Sequence, residues 1–173
     1  MNRPYSRERF LRIVEALKDA DPGMHLSTDL IVGFPGETEK DFELTKSLFE
    51  EVRFDMAFIF KYSIRTGTVA ADLPDQIPRE VKEARNQELL CILEKHSLKR
   101  NESLVGSTQE VLVEGHARKG EGMFMGRTRG FRKVVFPGNE RMVGELLDIT
   151  IEEPSVTVLK GTPRLRDEAV SAA

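Results

Sequence analysis

The sequence predicts an α/β plus all-β chain: an incomplete α/β unit over residues 1 to about 103, then a small β-barrel over 104–161. Three observations carry this. Helical and strand patterns alternate through the first part in the order helix–strand–helix–strand–helix. The stretch STDLIVGFPGETEKDF (Ser27–Phe42) runs a strand pattern into a Gly-Phe-Pro-Gly bend and at once into a helix start. After Gly106 the texture changes to short runs divided by Gly or Pro: TQEVLVEG, GMFMGRTRG, RKVVFPG, ELLDITIEE and SVTVLKG. Regularly spaced short strands of this kind suggest a small barrel or sandwich.

Ser6 ahead of Arg7-Glu8-Arg9 reads as a helix N-cap, and Phe10, Ile13, Val14 and Leu17 recur at helical spacing. Asp21-Pro22-Gly23 stops that helix. Leu26–Val32 reads as a strand. Thr38 with Asp41 resembles a capping arrangement for a second helix carrying Phe42, Leu44, Leu48, Phe49 and Val52. Phe54–Ser63 is a nearly all-apolar strand, the pattern of one covered on both faces. A long helix begins after Pro78 and runs to about Glu102, with Val81, Leu89, Ile92, Leu93 and His96 as inward candidates. The tail from 162 to 173 is polar, small and expected to be loose. Two parallel strands with one crossover helix cannot cover both faces of their own sheet, so the α/β part reads as a piece of a larger domain.

Charged residues are 32% and hydrophobic residues 39% of the 173, with net charge −3. Affinity for nucleic acid must therefore come from a local patch. One cysteine, Cys91, excludes an internal disulfide and a four-cysteine metal site. No apolar run approaches the ~18 residues of a membrane span, and MNRPYSRERF has no apolar core of a signal peptide. The default compartment is the cytoplasm, with no membrane partner.

Ligands of α/β sheets bind at the carboxyl ends of the strands. Gly33 and Gly36 permit close backbone approach there and Pro35 fixes the bend, although a turn whose Gly and Pro serve geometry alone is the simpler account. Lys61 and Arg65 leave the second strand at the same end and suit a phosphate; a solvated loop explains them equally well. Between His116 and Phe136 lie Arg118, Lys119, Arg127, Arg129, Arg132 and Lys133 against one acid, Glu121, with Phe124 and Phe131 interleaved. Positive charge with exposed aromatics is the composition of an RNA-binding face; the alternative is a solvated barrel exterior with both Phe in the core. Alternation puts Arg127 and Arg129 on one face. Cys91 and His96 lie about 140° apart around a helix, so they share no ligand, and Cys91 is expected as a core or groove thiol. No nucleophile triad, Walker loop or metal-ligand spacing is present.

MNRPYSRERF, STDLIVGFPGETEKDF, FKYSIRTGTVAADLPDQIPREVKEAR and VLVEG with MGRTRGFRKVVFPG follow one another as in the later part of the radical S-adenosylmethionine methylthiotransferases. The resemblance runs from Met1 to about Gly161 and is closer to the tRNA-modifying (MiaB-type) branch than to the ribosomal-protein branch. The last strands resemble the TRAM domain, an OB-like RNA-binding barrel.

The resemblance implies that residues 1–103 are the C-terminal portion of a radical-SAM (β/α) partial barrel. Thr28, Asp29, Ile31, Gly33 and Phe34 would then wall S-adenosylmethionine, with Phe60 and Tyr62 near its adenine. It implies a parent enzyme with two 4Fe–4S clusters that methylthiolates C2 of an isopentenylated adenosine beside the tRNA anticodon, through a 5′-deoxyadenosyl radical. The partners implied are the tRNA anticodon stem-loop and the enzyme's N-terminal half. This sequence has neither the family's CxxxCxxC loop nor its three-cysteine domain. The chain is therefore expected to be a portion of the enzyme, inactive alone, with no metal and no catalytic residue of its own. The unpartnered sheet predicts self-association. A free-standing RNA-binding protein on an α/β scaffold and the ribosomal-protein methylthiotransferase are the alternatives.

Overall fold

A computed structural model describes residues 4–164. The chain divides between Ser97 and Leu98 into two compact units.

In the first unit, α1 (Arg7–Ala20) starts where the Ser6 hydroxyl accepts the Arg9 N–H at 3.3 Å. β1 (Ser27–Val32) leads through the glycine turn to α2 (Glu39–Val52). A full capping box opens α2, with Asp41 N–H donating to the Thr38 hydroxyl and Thr38 N–H to the Asp41 carboxylate. The Thr38 hydroxyl, and then its N–H, hold the Asp41 carboxyl below its ordinary value. β2 (Met56–Lys61) lies parallel to β1, and α3 (Arg79–Glu102) follows.

Val14, Val32, Phe42, Phe49, Val52, Phe54 and Leu89 form this unit's core. The helices bury only one face of the two-stranded sheet. Leu30, Ala57 and Ile59 pack inward, whereas Ile31, Met56, Phe58 and Phe60 are 37–54% exposed. The expectation that the second strand is covered on both faces is therefore corrected. Its apolar residues alternate between a core and open solvent, because no described element of this unit covers the second face. Ile13, Leu17, Leu44 and Val81 are likewise exposed, where helical spacing alone placed them inward. Cys91 is exposed as well, rather than in a core or groove.

The second unit closes five strands, β3 (Thr108–His116), β4 (Met123–Thr128), β5 (Lys133–Pro137), β6 (Leu146–Pro154) and β7 (Val158–Pro163), in the order β3-β4-β5-β7-β6. All neighbours are antiparallel except β5 and β7. A closed barrel removes edges, which settles barrel over sandwich. Alternate residues fill the interior: Val111, Val113, Phe124, Val134, Phe136, Ile149, Ile151 and Leu159. Gly126 and Gly161 sit where a Cβ would run into the backbone carbonyls of Leu112 and Thr150. The last strand continues to Pro163, and the Arg164 N–H donates to the Asp148 carbonyl at 2.7 Å. The rest of the expected loose tail, 165–173, lies outside the described residues.

Candidate functional site

The turn at the carboxyl end of β1 is held from three directions. Gly33 and Gly36 take φ of 70° and 82°, angles that favour glycine. Gly33 N–H donates to the Glu37 carboxylate, and Gly36 N–H to the Asp75 carbonyl at 2.8 Å. The buried Arg85 of α3 reaches the Glu37 carbonyl at 3.2 Å, the Glu37 carboxylate at 3.3 Å and Glu39 at 3.1 Å, with its guanidinium 5.2 Å from the Phe42 ring centre. Lys82, one turn earlier on α3, donates to the Tyr62 carbonyl at 3.1 Å. Its methylenes fill the space a Cβ on Gly33 would need.

Of the residues expected to face a cofactor, Asp29, Ile31 and Phe60 share the open face of the sheet, Ile31 opposite Phe60 in register. Phe34 and Tyr62 meet edge to face at 5.3 Å beside the turn. The Tyr62 hydroxyl is buried without a hydrogen-bond partner. Gly33 is buried beneath Lys82. Thr28 is not brought to the group, because alternation places it on the helix-covered face. Lys61 lies 3.4 Å from Glu83, whose carboxyl is held below its usual range by Arg79 first and then Lys61. Arg65 is exposed, and its carbonyl accepts the Thr68 N–H and hydroxyl at 3.2 and 2.8 Å.

On the barrel, Arg127 and Arg129 carry a pair of outward guanidiniums, but each has an acid on β3. Arg127 donates to Glu114 at 3.0 Å and Arg129 to Glu110 at 2.7 Å. The β4–β5 turn closes with Phe131 N–H donating to the Thr128 carbonyl at 2.9 Å and Thr128 N–H to the Arg132 carbonyl at 3.0 Å. Phe131 has φ of 62° and stands 70% exposed, with the Arg127 guanidinium 5.8 Å from its ring centre. A left-handed backbone costs a side-chain-bearing residue about 1–2 kcal/mol. Phe124, by contrast, is core. Arg118 and Lys119 are exposed in the β3–β4 loop, and Lys133 is half-buried at the start of β5. Arg132 donates to the Asn101 side chain, which is buried and itself donates to the Ser155 carbonyl at 2.6 Å. Arg132 thus braces the barrel.

Residues 102–163 match the TRAM domain family. The chain is 52% identical to the tRNA-2-methylthio-N(6)-dimethylallyladenosine synthase of Opitutus terrae, over 93% of this chain and 33% of that protein. It is 49% identical to the synthase of the same name from Methylacidiphilum infernorum, over 98% of this chain and 37% of that one. The Akkermansia muciniphila protein of that name is 46% identical, over 94% and 36%. Over nearly its whole length the chain is thus similar to tRNA methylthiotransferases. It spans about a third of the length of these relatives.

In the first unit, sequence reasoning missed Lys82, Arg85 and Glu37, and on the TRAM barrel it missed Glu110 and Glu114. A signal for the first two existed. Counting back from Leu89 by helical spacing reaches Asn86, Arg85 and Lys82, a polar continuation of the stripe that Leu89, Ile92 and Leu93 bury. Asn86 confirms the stripe's direction by donating to the Ile59 carbonyl at 2.8 Å.

Proposed function

We propose that this chain is the part of a tRNA-2-methylthio-N6-dimethylallyladenosine synthase that docks the tRNA anticodon stem-loop and supplies one wall of the S-adenosylmethionine site. In this reading residues 1–103 continue a radical-SAM partial barrel, residues 104–161 bind RNA, and the parent works in the cytoplasm. No helix among the described residues is long and apolar enough to cross a membrane. The observation that carries the proposal is the outward Arg127–Arg129 pair at the exposed Phe131 turn of a TRAM barrel.

The residues present fit part of S-adenosylmethionine. Ile31 and Phe60 offer an apolar wall for a flat ring, and the buried Tyr62 hydroxyl lacks a partner. Gly33, with Lys82 above it, keeps the turn in place rather than admitting a ligand at that point. S-adenosylmethionine supplies radical and methyl-donor chemistry when bound. Iron–sulfur clusters do not fit these residues, since the chain's one cysteine, Cys91, is exposed and far short of a thiolate set. The open face of Ile31, Met56, Phe58 and Phe60 also supports self-association of the isolated chain, which sedimentation velocity should show as oligomers dissolving on dilution.

Binding of the 173-residue chain to an anticodon stem-loop RNA at a series of salt concentrations tests the docking role. Arg127→Ala with Arg129→Ala should weaken binding and flatten the slope of log K against log salt by about 1.5, because two phosphate contacts release fewer counterions. A slope equal to the parent's removes both residues from the interface. Glu110→Gln with Glu114→Gln should act in the opposite direction. Freeing the two guanidiniums from partners worth about 0.2–1 kcal/mol each should tighten binding about two- to thirtyfold at low salt.

A further inference from the structure

We propose that Phe131 is a base-stacking residue, its ring taking an unpaired base of the RNA while Arg127 and Arg129 hold the adjoining phosphates. This rests on the reading of the barrel as an RNA-docking module and adds to it the residue that recognises a base rather than the backbone.

Neither apolar burial nor the closing of the turn gives a reason for a phenylalanine at this position. The ring is 70% exposed, so it contributes little apolar burial. Its backbone is left-handed, which any residue with a Cβ resists. The turn's one glycine, Gly130, does not take the left-handed position; Phe131 does. The hydrogen bonds that close the turn use the Phe131 N–H, the Arg132 backbone and Thr128, with the Arg132 N–H reaching the Thr128 hydroxyl at 3.2 Å. None of them needs the ring. Glycine would close the same turn with less strain and less exposed apolar surface.

The surroundings of the ring point to its partner. The Arg127 guanidinium lies 5.8 Å from the ring centre and also donates to the Phe131 carbonyl at 3.4 Å, so the ring is held against a cation that orients it. The exposed aromatic stands beside Arg127, with Arg129 two residues before it in the same turn. The carboxylates that pair with these arginines are at the surface, where solvent or a phosphate can replace them. An aromatic platform next to guanidiniums is how proteins hold a splayed base together with its backbone. An apolar protein partner would instead call for aliphatic neighbours, and the residues flanking the ring here are Gly130 and Arg132.

The test uses the 173-residue chain and an anticodon stem-loop RNA with 2-aminopurine in its loop. Phe131→Gly should melt at the parent's temperature or above it, lose about 5- to 100-fold in affinity, keep the parent's salt slope, and abolish the quenching of 2-aminopurine by the protein. Phe131→Trp should restore affinity and quenching. Parent-like affinity and quenching in Phe131→Gly, with the parent's salt-sensitive binding intact, would overturn the stacking role alone. Absence of salt-sensitive binding by the unmodified chain would overturn the RNA-docking reading and the stacking role together.

Discussion

Gly126→Ala should cost the barrel about 3 kcal/mol or more, enough to remove its cooperative unfolding transition at ordinary temperatures. The added methyl would meet the Leu112 carbonyl, with Val111 Cγ1 at 2.6 Å and the Leu112 carbonyl carbon at 2.9 Å. Two of these are backbone atoms of β3, which cannot turn aside as a long side chain can. Relief therefore means parting β3 from β4 where Val113 pairs with Gly126. Gly161→Ala should behave alike, since its Cβ would meet the Thr150 carbonyl across the β6–β7 pair, with Ile149 Cγ2 at 2.8 Å. Near-ultraviolet circular dichroism and thermal melts of the full chain measure this. A Gly126→Ala melt superimposable on the parent's would mean that the strands separate at no cost, contrary to the geometry.

Arg85→Met should destabilise the first unit by about 3 kcal/mol, the cost of leaving a buried charge without its partner. The Glu37 side chain is 12% exposed, and Arg85 is the cation that meets it at 3.3 Å. Glu39, 73% exposed, should lose little, because water replaces the guanidinium there. The same carboxylate accepts the Gly33 N–H, so the loss should also loosen the glycine turn. Adding Glu37→Gln should recover part of the stability, because an amide is less costly than an unpaired carboxylate. Arg85→Lys should recover little, since an ammonium cannot span the Glu37 carbonyl, the Glu37 carboxylate and Glu39 as the planar guanidinium does. A double-mutant cycle on urea midpoints reads the coupling. Additive effects of the two substitutions would refute the pair's role.

Much of the framework was legible because it is written locally. Ser6, the Thr38–Asp41 box and Pro78 set helix starts through contacts within a few residues, and the glycine turn announces itself by composition. What escaped depends on partners far along the chain. Glu114 and Glu110 lie 13 and 19 residues from the arginines they meet, and only the register of β3 against β4 brings them together. A window from His116 to Phe136 holds one acid and so overstates the positive field. Phe124 and Phe131 look equivalent in composition. Alternation from Phe124 through Gly126 to Thr128 points inward, but Phe131 falls beyond the strand, and its exposure follows from the turn that ends it. The second strand misled for a different reason. An apolar side chain carries the same signal whether its own chain covers it or another surface does, so Met56, Phe58 and Phe60 read as interior.

The parallel pairing of β5 with β7 carries a consequence for synthesis on the ribosome. β5 finishes at Pro137 and waits for its second neighbour until Val158 and the residues after it have been made. At bacterial or eukaryotic elongation rates those 20 intervening residues take about 1–4 s, during which Val134 and Phe136 belong to a strand with one open edge. Lys133 and Pro137 bracket that edge, and Lys160 sits opposite Val135 on the strand that closes it. Charge and proline at these places discourage a nascent neighbour from joining first. The order in which the strands leave the ribosome thus sets where the barrel needs protection against mispairing.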